Sequence, residues 1–318
     1  MALSGSDNFT VTRNDIINAA LRKLGQLSEG ETATAQQVAD AAADLERMVK
    51  AWQADGLHLW KYEEMVLFLT VNDHEYSLGT ATTDHWVKRS ALTSTTTSAA
   101  ALSGATTIVV TSATGISASD NIGVVVDDNT IHWTTVSGAP AGTTVTLAVA
   151  LDAAAASGNA VYVYTSKAVR PLQITHCRIQ TNATSEIEGT ILSREDFFRL
   201  ANKSADGTPT QIYYSPALAS GKLYIYPEAS DERVYLNLTA QIPIEDFDAA
   251  SNNPDFPAEW HDALVWNLAK RQITEYGITD PSTIQMILGI AEETYRMAAE
   301  FDAEDTSLMF IPDFTYFA

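Results

Sequence analysis

Between Arg89 and Lys167 the chain carries no lysine or arginine. Over residues 92–166 Thr, Ser, Ala, Gly and Val dominate, and only four acids occur. The stretch ATTIVVTSATGISASDNIGVVVDDNTIHWTTVSG, followed by GTTVTLAVAL and NAVYVYT, gives short β-branched runs separated by Gly, Asn and Asp. Such runs suit strands, and such separators suit tight turns. This segment is expected to be a small all-β module of barrel or immunoglobulin-like type. It interrupts a host of different composition, so the host has to be assembled from pieces far apart in sequence.

The flanks read as helices at both ends and strands between. TRNDIINAALRKLG has Thr12 or Asn14 to cap its free amides and Gly25 to end it in a left-handed turn. A second helix opens at Thr34, with Gln37 as its capping-box partner. Val38, Ala41, Ala42, Leu45, Met48, Val49 and Trp52 then recur at helical spacing up to Asp55-Gly56. MVLFLTV and EYSLG, joined by Asn72-Asp73, predict a hairpin. Beyond Ala168, VRPLQITHCRIQ, GTILS, QIYYSP, GKLYIYP and RVYLNLTAQIPI predict strands, with a short helix opening at Ser193. Pro257 to Gly277 predicts a helix, and a last one runs from Asp280-Pro281 to about Glu300.

The expectation is therefore an α+β fold. Four main terminal helices form a helical layer around a central, mostly antiparallel β region, with the inserted all-β module. The expected boundaries are 1–91 for the helical hairpin and first β-hairpin, 92–166 for the module, 167–305 for the remaining strands and helices, and 306–318 for an extended tail.

The charge narrows the function. Forty acids against 19 bases give −21 at neutral pH, a field that opposes a polyanion. The basic residues group only in pairs, Arg22-Lys23, Lys88-Arg89 and Lys270-Arg271, so sequence-specific nucleic-acid binding is not expected. The opening MALSGSDNFTVTRND has no basic start followed by an apolar core, and no run of about 18 apolar residues occurs. No leader and no membrane span are expected. Cys177 is the single cysteine and is expected to be a small buried hydrophobe.

Motifs for phosphate loops, dinucleotide binding, zinc proteases and serine hydrolases are absent. The six histidines, His58, His74, His85, His132, His176 and His261, show no zinc spacing. His176 and Cys177 should face opposite sides of a strand. Asp127-Asp128-Asn129 reads as a turn rather than a calcium loop. Glu63-Glu64, Glu186/Glu188 and Asp255/Glu259 are the carboxylate pairs to weigh for glycoside hydrolysis. The aromatics Trp260, Trp266, Tyr213, Tyr214, Tyr224 and Tyr226 fit packing better than ligand stacking. No cofactor and no metal is expected.

NDIINAALRKLGQLSEGETATAQQVADAAADLERMVKAWQADGLHLW resembles the N-terminal signature of head-to-tail adaptor proteins of short-tailed bacteriophages. RPLQITHCRI, LSREDFFRLANKSADGTPTQIYY, GKLYIYPEAS and PAEWHDALVWNLAKRQITEYG resemble the later part of the longer adaptors. Together these stretches cover most of 13–89 and 168–277. Residues 92–166 match nothing in the shorter members.

The resemblance implies a structural virion protein rather than an enzyme. Such proteins form a ring of about twelve copies under the portal protein, extend the DNA channel and dock the tail nozzle or tube. DNA passes without being read, tail fibres are a further candidate partner, and assembly takes place in the host cytoplasm. The final TSLMFIPDFTYFA is too short and too interrupted at Pro312 to fold by itself, since its apolar gain and its ordering cost are of similar size. Met309, Phe310, Ile311, Phe314, Tyr316 and Phe317 are therefore expected to order on the portal or a neighbouring subunit, with Trp60 as a further contact. The rival expectations are a glycan-binding or glycan-hydrolysing tail protein using an exposed Trp133, and another virion structural subunit.

Overall fold

The computed structural model describes residues 9–54, 61–182 and 185–301. These fall into two compact units. The described residues before 55 and those from Ile244 onward form one; residues 61–243 form the other. The division follows secondary structure, helices in the first and strands in the second.

In the helical unit, α1 (Arg13–Lys23) starts on a capping box. Thr12 Oγ1 accepts from Asp15 N at 3.2 Å, and the Asp15 carboxylate accepts from Thr12 N at 2.9 Å. The Thr12 hydroxyl, which donates to the Asp15 carboxylate at 2.6 Å, and the Thr12 N–H hold that carboxyl below its ordinary range. Gly25 ends the helix at φ +70°, where a side chain would be strained. In α2 (Ala35–Ala54), Thr34 and Gln37 cap each other, and Ala41, Leu45, Met48, Val49 and Trp52 are buried.

Two further long helices come from the other end of the chain: α4 (His261–Gln272) and α5 (Pro281–Phe301). Asp280 caps α5 by accepting from Thr283 N at 2.9 Å and from two hydroxyls, which lowers its carboxyl to about 2. Both α1 and α2 pack on α4, which in turn packs on α5. Helices from the two ends of the sequence thus share one core. Trp52 meets Phe256, Trp260 and Tyr295, at ring-centroid distances of 4.9–6.4 Å. The Asn267 amide donates to Ala263 O on α4 and Ala291 O on α5. The α4 helix begins later than Pro257 suggested, because residues 258–260 form a separate 3-10 turn.

The strand unit contains β1 (Tyr62–Phe68), β2 (Glu75–Leu78), β3 (Trp86–Lys88), β4 (Thr93–Thr96), β5 (Thr107–Val109), β6 (Asn121–Val125), β7 (Ile131–Thr135) and β8 (Thr144–Thr146). It continues with β9 (Ala160–Tyr164), β10 (Gln173–Asn182), β11 (Ser185–Ile191), the short helix α3 (Arg194–Arg199), β12 (Asp206–Gly207), β13 (Gln211–Ser215), β14 (Gly221–Tyr226), β15 (Glu228–Ala229) and β16 (Tyr235–Gln241). The described residues therefore hold five α-helices, of which α3 is the short one that opens after Ser193. The fold is mixed α+β.

Eight strands form one sheet in the order β2-β14-β13-β11-β10-β16-β1-β3. It curls until its two ends nearly meet. Tyr76 and Leu78 from one edge strand and Trp86 from the other lie in a single apolar cluster with Met65, Leu67, Ile179, Leu223 and Leu236. Between the edges, Asp84 accepts from Ser77 N at 2.5 Å in place of a backbone ladder.

The expected hairpin of MVLFLTV and EYSLG does not form. The strand β1 pairs antiparallel with β16 over seven residues and with β3, whereas β2 pairs with β14. Asn72, at φ +61°, turns the chain away, and the Tyr76 hydroxyl is held by Thr70, accepting from its N and donating to its O. Closing the curl over Tyr76 and Leu78 buries more apolar surface than a two-stranded hairpin could.

Residues 93–164 build their own sheets, β4-β9-β6-β7 and β5-β8, around Ile108, Val110, Ile122, Val124, Val145, Leu147, Val161 and Val163. They join the large sheet through a second cluster. Val66, Phe68 and Val87 on its outer face meet Val125, Ile131 and Tyr164, with Trp133 and Tyr162 packed alongside. The buried Glu232 carboxylate accepts from Val71 N at 3.2 Å and from Ile131 N at 2.7 Å, tying the two parts together.

Gly123 lies opposite Trp133 in the β6–β7 ladder, and a methyl group there would sit 2.7 Å from the indole ring. Gly123→Ala is expected to displace Trp133 and to cost about 1–3 kcal/mol. Urea unfolding followed by tryptophan fluorescence checks this; a variant of wild-type stability and emission would refute the packing role.

Candidate functional site

The alternation YLNLTAQ along β16 sends Leu236, Leu238 and Ala240 inward and Asn237, Thr239 and Gln241 outward. Its neighbours in register place Glu64 of β1, Arg178 and Gln180 of β10, and Glu186 of β11 on the same outer face. Asn237, 1% exposed, is the hub. Its Oδ1 accepts from Arg89 Nη1 at 2.8 Å, and its Nδ2 donates to Gln180 Oε1 at 3.0 Å and Glu186 Oε1 at 2.7 Å. Arg178 pairs with Glu64, and its Nη1 lies 3.7 Å from Glu186. Thr239 Oγ1 donates to Glu64 Oε1 at 2.7 Å.

Above these residues lies a hollow of about 700 Å³, lined by Glu64, His176, Arg178, Glu186, Glu188 and Thr239 among others. Three carboxylates face one guanidinium, so the surface suits a cationic or donor-rich partner. The arrangement offers little for acid–base catalysis. Glu64 and Glu186 are held by Arg178, and Glu63 points elsewhere, to Lys88 Nζ at 2.9 Å.

His176 and Cys177 face opposite sides of β10. His176 is exposed, while Cys177 sits in the inner core at 2% exposure, and burial pushes its thiol up to about 12. Asp127-Asp128-Asn129 is the β6–β7 turn. Asp128 Oδ1 accepts from Thr130 N and Oγ1, and Asp127 Oδ1 accepts from Ala156 N and Asn159 Nδ2. No group of three or more His, Cys, Asp or Glu side chains among the described residues could hold a metal ion. No helix among them is long and apolar enough to cross a membrane.

The tryptophan expected to be exposed is not. Trp133 stacks on His85 at 3.7 Å with ring planes 12° apart and meets Phe68 edge-on at 5.0 Å, so its face is occupied within the protein. Trp260 is in the helical core, and Lys23 Nζ lies 4.7 Å from the Trp266 ring centroid. Tyr213 and Tyr224 form a cross-strand stack beside Phe197 and Phe198 of α3. Trp60, Met309, Phe310, Ile311, Phe314, Tyr316 and Phe317 lie outside the described residues.

What the sequence reading did not single out is the Arg178–Asn237–Glu186 network and the His85–Trp133 stack. The alternation within β16 signalled the polar face, but the cross-strand partners follow only from register. No protein-family model matches the chain, and no curated protein matches it.

His85 Nδ1 lies 2.6 Å from the Tyr164 hydroxyl, and burial lowers the imidazole to about 3. The folded ring is neutral where the unfolded one, with its ordinary value near 6.5, takes up a proton. The stability it contributes is therefore complete above pH 6.5 and is lost as pH falls toward 3. Wild-type protein should lose about 1–3 kcal/mol more than His85→Phe between pH 7 and pH 4.5. Equal losses in urea titrations at the two pH values would contradict it.

Proposed function

We propose that this chain is a structural virion protein, a head-to-tail adaptor that forms a ring under a portal, extends the DNA channel and docks the tail nozzle. One observation carries the reading. The ranges 13–89 and 168–277, most of which the segments resembling long adaptors cover, fold together, with β1 from the first paired to β16 from the second along seven residues. The α1–α4 packing repeats this pairing in the helical unit.

The intervening 92–166 is then an inserted module of small-barrel or immunoglobulin-like type, with a core of its own. The net charge of −21 supports passage of packaged DNA without adhesion. The ring has about twelve copies, matching closed cyclic symmetry. Its place is the head–tail interface of the virion, and its role is not enzymatic. The glycan-directed alternative loses its main support because His85 covers one face of Trp133.

The aromatic tail supplies the docking step. Ordering it only on a receiving groove couples assembly to binding, and repetition around a ring multiplies weak contacts. Deleting residues 306–318 should leave a soluble protein with unchanged circular dichroism that fails to join portal-bearing particles. Undiminished incorporation, measured by quantitative immunoblot of purified particles, would overturn the docking role.

A further inference from the structure

Although β11 lies inside the order of the large sheet, only part of it has neighbours on both sides. Along its first edge it pairs with β10, with Ile187 opposite Ile179 and Gly189 opposite Cys177. Along the other it meets β13 only at Thr190 and Ile191. There Thr190 N donates to Thr210 O and Leu192 N to Ile212 O, each at 2.8 Å. Backbone groups alternate in direction along a strand, so the N–H and C=O of Glu186 and Glu188 point to this same edge. No backbone hydrogen bond reaches them there among the described residues. The parting has a visible cause: Thr210 N, the donor next in line for Glu188 O, goes to Tyr226 O instead at 3.0 Å.

The side chains around this edge are also unfinished. Ile187 is 47% exposed and Ile191 36%, on a strand whose partner β10 buries Ile179 completely. Residues 186–191 line the 700 Å³ hollow, which leaves room beside them. An open edge with an apolar row invites an added strand, main-chain bonds supplying affinity and alternate side chains specificity.

We propose that the open edge of β11 at residues 186–188 accepts an extended strand from a different protein, one that alternates cationic and apolar residues. The apolar residues would cover Ile187 and Ile191. The cationic ones would face Glu186, Glu188 and Glu64 on the opposite side. Charge selects the partner over a second copy: this chain's Lys and Arg are scattered singly apart from the pairs Arg22-Lys23, Lys88-Arg89 and Lys270-Arg271, and no run alternates Lys or Arg with β-branched residues. The inference rests on strand geometry and stands whether or not the chain forms a ring.

The test uses full-length protein and a fluorescein-labelled heptapeptide alternating Lys and Val, with a Glu/Val heptapeptide as control. Fluorescence anisotropy should show the Lys peptide binding at least about tenfold more tightly. Amide exchange at 186 and 188 should be fast in free protein and slow with the peptide bound. Glu188→Pro removes the free N–H while keeping the β10 side of the ladder, and should weaken binding at least about tenfold. Exchanging both Glu186 and Glu188 for Lys should reverse the preference toward the Glu peptide and provides a check that needs no proline. Equal binding of the two peptides, an unchanged preference in the Lys variant, or amides at 186 and 188 already protected in free protein would overturn the proposal.

Discussion

The inner face of the eight-stranded sheet is the constraint on which the strand unit rests. Its row of Met65, Leu67, Tyr76, Leu78, Trp86, Ile179, Leu223 and Leu236 can leave water only if the sheet curls, because strands at opposite ends of the order contribute to one cluster. Curling separates β1 from β2 despite their closeness in sequence, and it puts the polar sides of β16, β10 and β11 outward. One part of that outer face is covered by residues 93–164, and another part holds the Asn237 hub. Both features depend on the same closure.

Polar groups on the outer face limit what the hollow can do. Asn237 is almost fully buried and binds three side chains, so removing any of them would leave a buried amide with an unmet bond. Arg178 is shared between two carboxylates from two other strands. Such a network fixes register between β1, β16, β10 and β11 more than it prepares a reactive group. The joint to residues 93–164 is similarly committed: Glu232 spans it with two backbone bonds, and His85 and Trp133 close face to face.

Helix ends and amphipathic stripes were legible in the sequence because they are local: Thr12 with Asp15, Thr34 with Gln37 and Asp280 with Thr283 all lie within one turn. Strand positions were legible from alternation in YLNLTAQ and GKLYIY. Their partners were not, because the choice of β16 over β2 as the neighbour of β1 depends on a residue set 167 to 179 positions away. The three-residue β3 was too short to stand out, though Trp86-Val87 carries β-forming residues. Trp133 was misread because its cover, His85, lies 48 positions earlier, in the loop just before β3. The candidate contact residues at the C-terminus and Trp60 rest on sequence alone.

Ring formation on a portal is the claim from which the proposed role follows, and the mass of the assembly measures it most directly. Native mass spectrometry of the full-length protein mixed with its purified cognate portal should yield one complex with a whole-number ring of adaptor copies per portal. Portal and protein recovered only as separate species, at concentrations where both are folded, would contradict it.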